Sequence, residues 1–83
     1  MIYAGIDIAK DEHVIGATDE RGHDAAKPMR FENPAAGFDK CAAYLDGLAG
    51  SKSDLLVGME ATGHYWLPLF CRLQGEGYAI VVI

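Results

Sequence analysis

Residues 2–8 alternate Ile2, Ala4, Ile6 and Ile8 with Tyr3, Gly5 and Asp7. The run is short and apolar on both sides, the pattern of a strand in the middle of a sheet. After the polar break Ala9-Lys10-Asp11-Glu12, residues 13–18 read as a second strand, and Asp19-Glu20-Arg21-Gly22 as a hairpin turn ending in glycine. A third, more polar strand spans Ala26 to Phe31. Its Lys27, Pro28 and Arg30 suit an edge, where proline and charge block further pairing.

The period then changes from two to that of a helix. Asn33-Pro34 is a helix-start signal, with asparagine as cap and proline in the first turn. Phe38, Cys41, Ala42, Leu45 and Leu48 follow at helical spacing, with Asp39, Lys40 and Asp46 on the other side. The helix should stop near Gly47 to Gly50, with Ser51-Lys52-Ser53 as a loop. Residues 54–60 form another buried strand, ending on Glu60. Ala61-Thr62-Gly63 leads into a helix carrying Tyr65, Trp66, Leu69, Phe70 and Leu73, whose regular part is expected to begin near Pro68. Gly75 and Gly77 end it, and Tyr78 to Ile83 is a last apolar strand.

The element order β-β-β-α-β-α-β predicts an α/β fold with a mixed five-stranded sheet, antiparallel on one side and parallel on the other. The strand order that follows is 3-2-1-4-5. Both crossovers move the same way across such a sheet, so right-handed connections put both helices on one face. The opposite face is left uncovered. Residues 1–83 are therefore expected to be one truncated domain, incomplete at its C-terminus, and to self-associate through the open face.

Asp7 is the anomaly in this picture. Removing an unpaired carboxylate from water costs several kcal/mol unless a partner or a metal offsets it. In the predicted order Asp7 and Glu60 sit on adjacent parallel strands near their C-terminal ends, the edge where ligand sites of open α/β sheets gather. Two carboxylates that close repel each other, and a divalent cation is the usual reason to bring them together. Oxygen ligands suit Mg²⁺ or Mn²⁺, and two such ions about 3.5–4 Å apart drive in-line phosphodiester chemistry. The competing account pairs Asp7 with Lys10 or Lys52, and leaves Glu60 as a turn residue.

Composition narrows the choice without making it. The 83 residues allow one small domain, and a hydrophobic content of 51% is that of a globular chain. No stretch approaches the roughly 20 apolar residues that span a bilayer, and no secretory leader is expected. The net charge of −5 argues against this segment alone gripping a nucleic-acid backbone, but not against a centre in which carboxylates hold cations on a phosphate. Cys41 and Cys71 lack metal or redox spacing and read as two buried thiols in a reducing cytoplasm.

Three stretches together carry a family likeness. Residues 5–13 (Gly-Ile-Asp-Ile-Ala-Lys-Asp-Glu-His), Phe31-Glu32-Asn33-Pro34 with Gly37-Phe38, and residues 58–66 (Gly-Met-Glu-Ala-Thr-Gly-His-Tyr-Trp) resemble the N-terminal domain of DEDD-type insertion-sequence transposases. Those are prokaryotic recombinases with a RuvC-like catalytic domain of the RNase H-like fold. The resemblance covers essentially the whole chain, and the Glu-Ala-Thr-Gly-His-Tyr-Trp run is its most specific part.

The resemblance implies that Asp7 and Glu60 are the first two of four acidic metal ligands. The other two, and a C-terminal domain with a catalytic serine, are absent from these residues. It implies Mg²⁺ or Mn²⁺ as cofactor, held weakly or not at all by half a site, and DNA as partner with a guide RNA in the complete protein. It also implies a prokaryotic cytoplasmic location, no membrane, and an isolated segment that cuts nothing. Thr62, Gly63 and His64 are candidate nucleic-acid contacts, because a helix N-terminus offers backbone N–H groups to phosphate, and Lys10 could touch phosphate or neutralise Asp7. Capping is the plainer role for Thr62 and Gly63, and an ordinary hydrogen-bonded histidine for His64. Tyr65 and Trp66 could stack on a base or pack on the sheet, while His13 and His23 look incidental.

Two other readings stay open on the residues. One is an actin-like sugar or acetate kinase lobe, which also opens with Gly-Ile-Asp on a hairpin, though its phosphate loop needs small residues where Asp11 and Glu12 stand. The other is a non-catalytic self-association module.

Overall fold

The computed structural model describes residues 1–32, 35–60, 63 and 65–83, excluding the side chain of Ala35. Alternation of apolar positions is what builds its sheet. In β1 (Ile2–Asp7) the buried residues are Ala4 and Ile6, and in β2 (Glu12–Thr18) they are His13, Ile15 and Ala17. In β4 (Leu55–Met59) every second residue, Leu55, Val57 and Met59, is buried. Period-two burial means that each strand gives one face to the core and the other to solvent. β3 (Asp24–Glu32) and β5 (Ala79–Val82) complete the five-stranded sheet, in the order β3-β2-β1-β4-β5.

β1 runs antiparallel to β2 and parallel to β4, and β5 is parallel to β4. The order, the mixed pairing and the β-β-β-α-β-α-β succession are those expected from the sequence, and they make an α/β RNase H-like fold. The β2–β3 turn is tied by Asp19, whose Oδ1 accepts from the backbone N–H of Arg21 at 2.9 Å and of His23 at 3.0 Å. Gly22 closes this turn at φ +81°, a left-handed value that a side chain would resist. β3 is an edge strand, as its proline and charges predict, and its pairing with β2 slips twice, between Ile15 and Ala17 and between Ala17 and Thr18. Such bulges bend an edge and spoil it as a template for further strands.

Both helices pack on the same face. α1 (Ala35–Asp46) buries Phe38, Cys41, Ala42 and Leu45, and α2 (Leu67–Gly75) buries Leu69 and Leu73. These side chains form one cluster with Ala4, Ile6, Ile15, Val57 and Met59. The expected cap and first-turn residues Asn33 and Pro34 lie outside the described residues. Gly37 is fixed by space: a Cβ there would collide with the backbone of Glu32, so only glycine lets α1 start this close to the end of β3. α2 begins at Leu67 with Pro68 in its first turn, where the missing N–H has no intrahelical partner to lose.

Arg72 joins the helices by donating to Asp39 at 2.7 Å and to Glu76 at 2.5 Å. A second brace lies where the parallel strands begin. The Tyr78 hydroxyl donates to the Asp46 carboxylate at the end of α1, and the Lys52 ammonium sits 4.6 Å over the Tyr78 ring. Lys52 also donates to the carbonyl of Glu76.

One expectation about the core is corrected. Cys41 is buried, but Cys71 is exposed. On α2 it lies two positions from both Leu69 and Leu73, which is the far side of the helix from the residues that meet the sheet.

Candidate metal centre

The face of the sheet without helices carries both acidic residues. The parallel ladder of β1 and β4 runs to Ile6 opposite Met59. One residue further, the same register sets Asp7 against Glu60, on strands whose backbones lie about 4.8 Å apart. Both residues are exposed, and both line one depression of about 420 Å³. The sequence suggested a first strand buried on both sides; the structure buries only its Ala4 and Ile6 face. Asp7 is wet because, among the described residues, nothing packs on the Tyr3-Gly5-Asp7 side.

The floor of the depression is a row of glycines. Gly5 pairs with Gly16 across the antiparallel ladder and with Gly58 across the parallel one. A Cβ added at Gly5 or Gly16 would meet no atom within 4 Å, and one at Gly58 only a carbonyl oxygen at 3.9 Å. Three strands therefore present bare backbone beside the two carboxylates. Val14, Pro28 and Ile83 supply the apolar walls. The donors toward a cation are carboxylate oxygens alone, which fits a hard divalent ion and not a thiolate or imidazole metal. Among the described residues no three His, Cys, Asp or Glu side chains gather into a cation cage.

The pairing of Asp7 with Lys52 does not occur, because Lys52 is engaged with Tyr78 and Glu76 at the other end of the sheet. Lys10 is exposed in the connection that follows Asp7. Gly63 is exposed with φ +58°, while Thr62 and His64 lie outside the described residues. Trp66 is half-buried against the core and meets Phe70 edge-on at 5.7 Å, so packing is its role; Tyr65 stays exposed.

One residue beside the site carries more than its sequence context suggested. His13 is fully buried, and no other polar or charged side chain among the described residues is. Its Nδ1 accepts the backbone N–H of Ala9 at 3.1 Å, and its ring packs between Phe31 at 5.1 Å and Phe38 at 6.4 Å. Burial pushes its pKa below the ordinary histidine value, with the Asp7 carboxylate pulling more weakly the other way. The signal was present in the sequence: His13, Ile15 and Ala17 share the parity of the core-facing positions.

None of the described helices is long and apolar enough to cross a membrane. No curated protein matches the chain. A family model described as a transposase, of the IS110-type DEDD class, matches residues 4–83, nearly the full length. With a DNA transposase's N-terminal segment thus supported, the kinase-lobe alternative falls away. The chain belongs to the IS110-type DEDD transposase family.

Proposed function

We propose that Asp7 and Glu60 are two ligands of a divalent cation, Mg²⁺ or Mn²⁺, in the catalytic domain of a DNA transposase, and that this chain supplies half of the ligand set. The observation that carries the reading is the register: β1 and β4 bring both carboxylates to one depression at the C-terminal edge of a parallel pair. When bound, the cation would supply Lewis-acid activation of a phosphodiester for in-line attack. Asp7 and Glu60 would hold it, and the glycine row would let a sugar-phosphate backbone come close without meeting side chains.

The electrostatics favour weak binding by these residues alone. Two unit charges 4 Å apart repel by about 1 kcal/mol in bulk water and about 4 kcal/mol near a protein surface. On an open, wet face the repulsion lies between these two figures, so the pair tolerates having no cation. Covering the face raises the repulsion and with it the gain from a cation. On this reading DNA, with a guide RNA, is the partner of the complete protein, in a prokaryotic cytoplasm. Lys10, Thr62, Gly63 and His64 would contact phosphate, and the 83-residue chain cuts no DNA.

Mn²⁺ titration followed by NMR tests this directly. Selective broadening of the Asp7 and Glu60 backbone signals at millimolar Mn²⁺ is expected, with both effects lost in Asp7→Asn. Unchanged signals at both residues would overturn the half-site, and nicking of plasmid DNA abolished by Asp7→Ala would overturn the inactivity.

A specific observation also favours self-association through the open face. Tyr3 is 44% exposed, Val81 47% and Ile83 83%, three large apolar side chains on or beside it. Patches of this kind mark interfaces. Sedimentation should show a dimer or larger species, and a clean monomer at high micromolar concentration removes this part of the proposal.

A further inference from the structure

His13 holds the site end of the sheet from below. β1 ends at Asp7, and two residues later the chain is caught again, because Ala9 donates its N–H to His13 Nδ1 at 3.1 Å. Asp7 itself is paired in the ladder with Val14, the neighbour of His13. The carboxylate therefore stands between two fixed points, one in the sheet and one on the imidazole. Phe31 from β3 and Phe38 from α1 clamp the ring, so it has little freedom of its own.

The arrangement has a cost that needs a reason. With Nδ1 accepting, the ring proton sits on Nε2, and that nitrogen is buried without a hydrogen-bond partner among the described residues. A buried, unsatisfied donor is a net loss of stability, which leucine at the same place would avoid. What leucine would lose is the acceptor for Ala9.

We infer that His13 is a positioning residue for Asp7: its neutral imidazole, protonated on Nε2, anchors the Ala9 amide and so fixes the direction in which the chain delivers the Asp7 carboxylate to the cation. The inference rests on the metal reading for its functional consequence, and on the Ala9–His13 bond for its structural content. Partners that orient a ligand typically alter metal affinity by about 10–100-fold when removed.

Two variants separate orientation from packing. His13→Leu keeps an apolar side chain and removes the acceptor; His13→Asn keeps an acceptor, because its Oδ1 takes the place of Nδ1. Amide exchange of Ala9 should be slow in the wild type and in His13→Asn, and faster by about tenfold or more in His13→Leu, with Mn²⁺ affinity at Asp7 falling by a similar factor and recovering in His13→Asn. Nitrogen shifts of the ring should report the Nε2–H tautomer.

A folded His13→Leu that binds Mn²⁺ like the wild type overturns the inference. So does a wild-type ring protonated on Nδ1, or an Ala9 amide that exchanges as though exposed. If His13→Leu does not fold, failure of His13→Asn to preserve Ala9 protection overturns it on its own. Absence of Mn²⁺ broadening in the wild type sinks the metal reading instead, and leaves the Ala9 and tautomer measurements to decide the anchor.

Discussion

Gly5 stands directly opposite Gly16 in the antiparallel ladder, and neither would meet an atom if it carried a Cβ. An interior strand position without a side chain forfeits about 0.5–1 kcal/mol relative to alanine. The sheet bears that loss at adjoining positions, which keeps the surface beside Asp7 and Glu60 clear.

Gly5→Ala should therefore stabilise the chain. The expected rise in Tm is about 4 °C, from roughly 0.5–1 kcal/mol in a domain of this size. Gly5→Val should match it in stability while filling the depression. Thermal unfolding by circular dichroism decides the point: a fall in Tm for Gly5→Ala would mean that the row is packed rather than open.

Stability should depend on His13 in mildly acid solution. Its folded pKa lies below the ordinary value of 6.5, through burial, so between the two values the unfolded chain binds more protons than the folded one. Stability then rises with pH across that window. The contribution is complete above pH 6.5 and is lost as pH falls through the folded pKa. Urea unfolding at a series of pH values should show this slope in the wild type, and His13→Leu should flatten it. An identical slope in both would assign the acid sensitivity elsewhere.

The two thiols should differ sharply in reactivity. Cys41 is fully buried, and desolvation pushes its pKa up to about 12, whereas Cys71 is exposed on the outer side of α2. The thiolate is the reactive form. A maleimide at neutral pH should modify Cys71 alone in the folded protein, and Cys41 only after denaturant is added. Mass spectrometry showing equal labelling of both in the native state would refute the packing of α1.

Much of the fold was legible because the chain changes period cleanly. Strand parity in residues 2–8, 13–18 and 54–60, and helical spacing from Phe38 to Leu45, mark the elements, and their succession with right-handed crossovers sets the strand order. The pairing of Asp7 with Glu60 followed from that order. What the pattern could not convey was the second face of β1. Glycine and tyrosine count as apolar in a linear reading, so Tyr3-Gly5-Asp7 looked buried when it is open. A lone histidine next to charged residues looks like surface, although the parity of His13 is that of the core. Cys71 was misplaced for the complementary reason: an apolar neighbourhood in sequence does not say which side of a helix a residue faces. Thr62 and His64 lie outside the described residues, and their proposed part in phosphate contact rests on their expected place at a helix N-terminus.

The two margins of the sheet differ in a way that limits how the molecule can be extended. β3 is bulged and carries Pro28, with Arg30 held to Glu12 at 2.8 Å across the pair. β5 is short, regular and free of proline and charge from Ala79 to Val82. A sheet sealed along one border and bare along the other can lengthen in one direction only. Any additional strand, whether from the same polypeptide or another, has its hydrogen-bonding seat beside β5, on the margin nearer to Glu60 than to the hairpin.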